Sequence, residues 1–201
     1  MLGRSVEAVQ TRNFTGSGLG CYNLEVNSFT DTHMKNLLLL LACFLLFVSF
    51  AYAQKSSMEY LQDGSALYMN RDYKGAIKPY QKALDLEKKE RKLERQWWIA
   101  LVDNLGMAYG MTGDIKSSFA VFEYGVSVEP TYPLFYYNMA CGYGELGDEE
   151  NAIKWLRPAY KYKANMIAGE RFPNAETDSS FAKFRDSEKF KQALAEMKSE
   201  K

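Results

Sequence analysis

Few residues of this chain have the types and spacing that acid–base, nucleophilic or metal chemistry requires. His33 is the only histidine in 201 residues, so the commonest general base and metal ligand occurs once. It lies upstream of Ala51-Tyr-Ala53, a small-x-small sequence that reads as a signal-peptide cleavage site. Cleavage there would also remove Cys21 and Cys43 and leave Cys141 alone. One cysteine closes no internal disulfide, lacks its usual histidine partner, and builds no common Cys/His zinc site in a monomer. Cys141 reads as a small, half-buried residue, with pairing between chains as the alternative. Carboxylates are plentiful but scattered, and Glu149-Glu150 and the run from Glu87 to Glu94 read as solvated surface. Gly16-Ser-Gly-Leu-Gly20 follows no strand pattern and is no phosphate loop. The expectation is a protein that is not an enzyme and uses no cofactor or metal.

The informative spacing belongs to packing. Asn104-Leu-Gly-Met-Ala-Tyr109 is followed by Ser118, Phe122, Gly125 and Pro130. At an offset of 34 residues Gly106 aligns with Ala140, Tyr109 with Tyr143, Ser118 with Ala152, Phe122 with Leu156 and Gly125 with Ala159. Tyr60, Gly64, Ala76, Tyr80 and Ala83 take the same roles earlier, at an offset of 42 that leaves about eight extra residues between the two. Small residues let antiparallel helices approach closely, and aromatic ones fill the space between neighbouring pairs. Turns fall at Asn70-Arg-Asp72, Thr112-Gly-Asp114 and Leu146-Gly-Asp148, with glycine available as a C-cap and aspartate as the next N-cap. One pair cannot bury its apolar face alone, so such units stack.

This pattern resembles the tetratricopeptide repeat (TPR). The resemblance implies an all-α, right-handed superhelix of about three helix pairs, at roughly 57–90, 99–132 and 133–166, within a repeat region 54–164. The match has departures. Asp63 stands where the family carries a large apolar residue, Leu67 replaces a Tyr, and Lys88 and Ala164 replace a closing Pro. Pro79 and Pro158 fall inside second helices and should bend them.

In the family, first helices line a concave groove that holds a protein or peptide. Carried onto this chain, the groove positions are Met58, Leu61, Ser65, Tyr68 and Met69, then Ala100, Asp103, Met107, Gly110 and Met111. The third repeat adds Leu134, Tyr137, Cys141, Gly144 and Glu145. A clamp of Lys and Asn for terminal carboxylates, known in some members, is missing, because Leu61 and Ser65 stand in its place. The resemblance therefore points to an extended or helical apolar segment as ligand, held by adaptable Met and Tyr. The other expectation for these residues is burial under the next helix or the C-terminal segment.

Lys plus Arg equals Asp plus Glu at 25 each, so no global field draws the protein to nucleic acid or anionic membrane. Residues 37–53 carry no charge and follow Lys35. Seventeen helical residues reach only about 25 Å against roughly 30 Å of hydrocarbon, so 34–53 reads as a signal peptide with Gln54 as the first mature residue. Retention as a signal anchor and lipidation at Cys43, within Leu40-Leu-Ala-Cys43, are the alternatives. Residues 1–33 lack periodicity, and Met34 is itself a plausible initiator, so they read as an over-extended start or a real extension. Together these imply export to the periplasm or cell envelope, without stable membrane insertion after cleavage.

The insert from Lys88 to Trp98 lengthens the helices on one or both sides of it, with Trp97 or Trp98 packed on the neighbouring pair. Its basic run beside two tryptophans is the pattern's single hint of nucleic-acid or membrane contact. After a connection over 165–177, Phe181 and Phe184 can plug the end of the stack. Asp186 or Ser187 can then cap a helix whose Phe190, Leu194 and Met197 share one face, as in the closing segment of many bacterial TPR proteins. The overall expectation is a non-catalytic interaction scaffold, with a self-oligomerising module or a small envelope hydrolase as alternatives.

Overall fold

The computed structural model describes residues 33–45 and 55–200. They fall in two units, one ending at Gln54 and one starting at Lys55. In the first, residues 33–45 form helix α1, and its leucines from Leu37 to Leu41 are exposed. Among the described residues no helix is long and apolar enough to cross a membrane. The cleavage site, Gln54 and the leader upstream of His33 lie outside the described residues.

The second unit is all helix and turn. Three antiparallel pairs follow one another: α2 (Ser57–Met69) with α3 (Tyr73–Lys89), α4 (Arg95–Met111) with α5 (Ile115–Val128), and α6 (Pro133–Leu146) with α7 (Glu149–Lys161). A last helix, α8 (Glu188–Ser199), closes the chain. Ser56 and Glu59 form a reciprocal capping box that starts α2. Asp72, Asp114 and Asp148 cap the second helices, accepting from the N–H of Gly75, Ser117 and Asn151 at 2.8, 3.1 and 3.0 Å.

The residue before each of these caps turns left-handed: Gly113 at φ 83°, Gly147 at φ 77°, but Arg71 at φ 61°. A side chain there meets its own backbone, at a cost of about 1–2 kcal/mol that glycine avoids. Arg71→Gly should therefore stabilise the fold by roughly 1 kcal/mol and raise the melting temperature by about 2–4 °C. A thermal melt showing no rise would contradict this account of the turn.

Within pairs, glycine meets an aromatic ring. A Cβ on Gly64 would stand 2.5 Å from the Tyr80 ring, and one on Gly106 would stand 2.4 Å from that of Phe122. Ala140 and Leu156, fully buried, repeat the arrangement in the third pair. Between pairs, a Cβ on Gly125 would lie 2.8 Å from Phe135. Helix α2 touches α4 and α4 touches α6, whereas α3, α5 and α7 make no comparable contact with one another. First helices therefore form the inner, concave layer.

The structure narrows some expectations and corrects others. The second pair begins at Arg95, four residues before the expected 99, because the insert lengthens both of its neighbours: α3 and α4 have 17 residues each. Trp98 is the packed tryptophan, and Trp97 is exposed. Glu87 is not solvated surface. It is buried, and its carboxylate accepts from the Ser57 hydroxyl at 2.5 Å and from the N–H groups of Lys92 and Leu93 at 3.1 and 3.0 Å. Helix α3 continues through Pro79, and Pro158 falls in the last turn of α7.

The C-terminal segment keeps the repeat register in part. Phe190 and Ala193 of α8 lie 34 residues after Leu156 and Ala159, and all four are buried. Thus α8 is the second helix of an incomplete fourth pair. Its first helix is missing because Gly169, Pro173 and Asn174 stand where Phe135, Met139 and Ala140 stand in α6. A short 3₁₀ turn, Ser179–Phe181, lies against α6 instead. Phe181, Phe184 and Phe190 close the end of the stack with ring centroids 5.0 to 6.1 Å apart. Ser187 occupies the N-cap position of α8, but its hydroxyl donates to Glu149 at 2.5 Å instead of capping the helix.

Candidate interaction groove

The inner layer brings some predicted groove residues together and hides others. Met107, Met111 and Cys141 line one hollow of about 400 Å³ between the second and third pairs, with Gly110, Glu145 and Ser180 also on its walls. Met111 is exposed, as is Met69 at the matching place in the first pair. Met58 and Leu134 are half-buried and pack on the core. Ser65 accepts a hydrogen bond from the buried Tyr80 hydroxyl at 3.2 Å.

Leu61 and Tyr137 are not open to a ligand. Leu61 is 4% exposed and belongs to the main core. Tyr137 is 1% exposed because the C-terminal segment covers it: its hydroxyl donates to Asp178 at 2.9 Å, and its ring meets Phe172 and Phe181 edge-on. Cys141 sits against the same carboxylate, with Sγ 3.9 Å from Asp178 Oδ2. Burial, then the Asp178 charge, pushes its thiol pKa well up, the opposite of what a nucleophile needs.

One turn from Met107 on α4, a polar centre occupies the middle of the inner face. Asp103 Oδ1 accepts from the Asn138 side-chain amide of α6 at 2.7 Å. Burial raises its pKa to about 7, the nearby Glu170 carboxylate adds to the rise, and the Asn138 hydrogen bond opposes it. Tyr132 donates to Glu170 at 2.9 Å and lies close enough to Asp103 to feel its charge. On the other side, burial and the Asp103 charge push Tyr68 of α2 up to about 12. Arg95, the one basic residue on a first helix, is engaged by Glu129 at 2.9 Å. Among the described residues no three His, Cys, Asp or Glu side chains are grouped to hold a metal ion.

The groove pattern names Asp103 but none of its partners. Asn138 has a signal, since it stands 34 residues after Asn104 on the same helix face. Glu170 and Asp178 lie on irregular backbone and have none.

Antiparallel pairs stacked in register, with an inner layer of first helices, define a helical-repeat solenoid. Residues 134–166, which hold α6 and α7, match the family model described as tetratricopeptide repeat. The third helix pair is thus similar to a tetratricopeptide repeat. The crystal structure of MamA is similar at a TM-score of 0.47 and 22% sequence identity, over 55% of this chain and 60% of that one, less than two thirds of MamA. Comparison with curated proteins gave no match.

Proposed function

We propose that this protein is a non-catalytic scaffold that holds a peptide segment of a partner against the inner face of α2, α4 and α6. Solenoids of this kind typically bind through their concave surface. The observation that carries the reading is the hollow between the second and third pairs. It is formed by adaptable Met107 and Met111 over small Gly110, and half-buried Tyr68 of the first pair belongs to the same inner layer. The covered third pair confines the open stretch to the first two pairs and their junction with α6. The signal-like 34–53 segment supports work in the periplasm or bacterial envelope.

Selection of short random peptides on the protein tests the groove. Tyr68→Ala combined with Met107→Ala should weaken the selected peptides on the order of tenfold or more, while Lys154→Ala on the outer layer should leave them unchanged. Enrichment of no peptide, or peptides indifferent to the inner-face pair, would overturn the proposal. Mass spectrometry of the protein recovered from the envelope should find Gln54 at its N-terminus; an uncleaved cytoplasmic chain would count against export.

A further inference from the structure

The composition is neutral, but the charge is not evenly distributed. The first helices carry Glu59, Asp63, Asp103 and Glu145 against Arg95 alone. The second helices together have the opposite balance: α3 holds five lysines against Asp85 and Glu87, α7 holds Lys154, Arg157 and Lys161 against Glu149 and Glu150, and α5 is neutral with Lys116 and Glu123. A net charge of zero therefore conceals an acidic inner layer and a basic outer one.

We infer that the groove is selective for a basic peptide, one that sets a lysine or arginine side chain against Asp103 and Glu170 while a neighbouring apolar residue enters the Met107–Met111 hollow. The inference rests on the groove reading above and adds the chemistry of the occupant. Asp103 and Met107 are one helical turn apart on the same face of α4, about 5–6 Å, so the ionic and apolar contacts are within reach of side chains two positions apart on an extended segment, which share a face about 6–7 Å apart. The carboxylate is already oriented by Asn138. Half-buried Tyr68 borders it on one side, and on the other the buried Tyr132 hydroxyl is held by Glu170. The Glu170 carboxylate, from a different element, adds its like charge at Asp103. An ammonium or guanidinium would relieve both the mutual repulsion and the desolvation of the carboxylate. An acidic peptide would meet the repulsion undiminished.

Three peptide pools matched in length and apolar content, one rich in Lys and Arg, one neutral, one rich in Asp and Glu, provide the test. Binding to the full chain would be read by fluorescence anisotropy at low and high salt. The basic pool should bind on the order of tenfold more tightly than the neutral one, and the advantage should shrink with salt. Asp103→Asn with Glu170→Gln should remove that advantage, so that the basic and neutral pools bind the variant alike. Equal affinity for all pools, with binding still lost on Tyr68→Ala, would overturn the charge selectivity and leave the groove intact. Binding of no pool would overturn both readings, and a basic preference that survives the double substitution would place the acidic determinant elsewhere and sink this one.

Discussion

Glu87→Ala is expected to lower the stability of the folded protein by about 3–5 kcal/mol, a fall in melting temperature of roughly 10 °C. The carboxylate of Glu87 joins three parts of the chain that the repeat pattern leaves loose: Ser57 at the start of α2, the end of α3, and the backbone N–H groups of Lys92 and Leu93 before α4. Helix α4 has no side-chain cap of its own at Glu94. Removing the acceptor strands two backbone donors and a hydroxyl where water reaches poorly, and each unsatisfied buried group costs about 1–3 kcal/mol. Glu87→Gln retains one acceptor oxygen and places a donor opposite donors, so its loss should be intermediate. Denaturant titration separates the series; an alanine variant within about 1 kcal/mol of the parent would show that the joint is not structural.

That joint also shows where reading the sequence succeeds and where it stops. The 34-residue recurrence identifies what contacts what: Gly106 against Phe122 and Ala140 against Leu156 follow from spacing alone, because close approach needs a small residue opposite a large one. Features outside the period are invisible to it. Glu87 lies beside a charged run and looks like solvent-facing surface, yet the lengthened α3 folds it under the α3–α4 turn. Tyr137 carries the position of a groove residue, but residues after Lys161 keep only half of a fourth repeat, and their irregular part lies over it. Asp103 is legible as a position; its raised pKa comes first from burial and then from Glu170, which no periodicity brings near.

Between about pH 4 and pH 7 the parent should lose stability relative to Asp103→Asn, and above pH 7 the difference should level off with the variant more stable. The sign follows from the direction of the shift. With a pKa of about 7 in the fold against 3.8 as the ordinary value, Asp103 binds a proton more tightly folded than unfolded. Its contribution is fully present below the unfolded value and is lost as pH rises through the folded one. The span corresponds to an upper limit of roughly 4 kcal/mol, reduced in practice because Asp103 keeps an edge in contact with solvent. The difference between parent and variant is the quantity to measure. Asp114 and Asp148, held low by hydrogen bonds from Ser117 and Asn151, pull the parent's own curve the other way near pH 4. Of the other titratable groups around Asp103, Tyr68 and Tyr132 ionise well above this window, and the Glu170 charge adds to the rise at Asp103, so Glu170→Gln should reduce the Asp103 effect without abolishing it. A flat difference curve would mean that Asp103 is solvated and exerts no strain on the fold. A carboxylate destabilised in the empty groove gains more from a bound cation than a relaxed surface carboxylate would. Affinity for basic peptides should consequently rise with pH across the same interval in which the unliganded protein weakens.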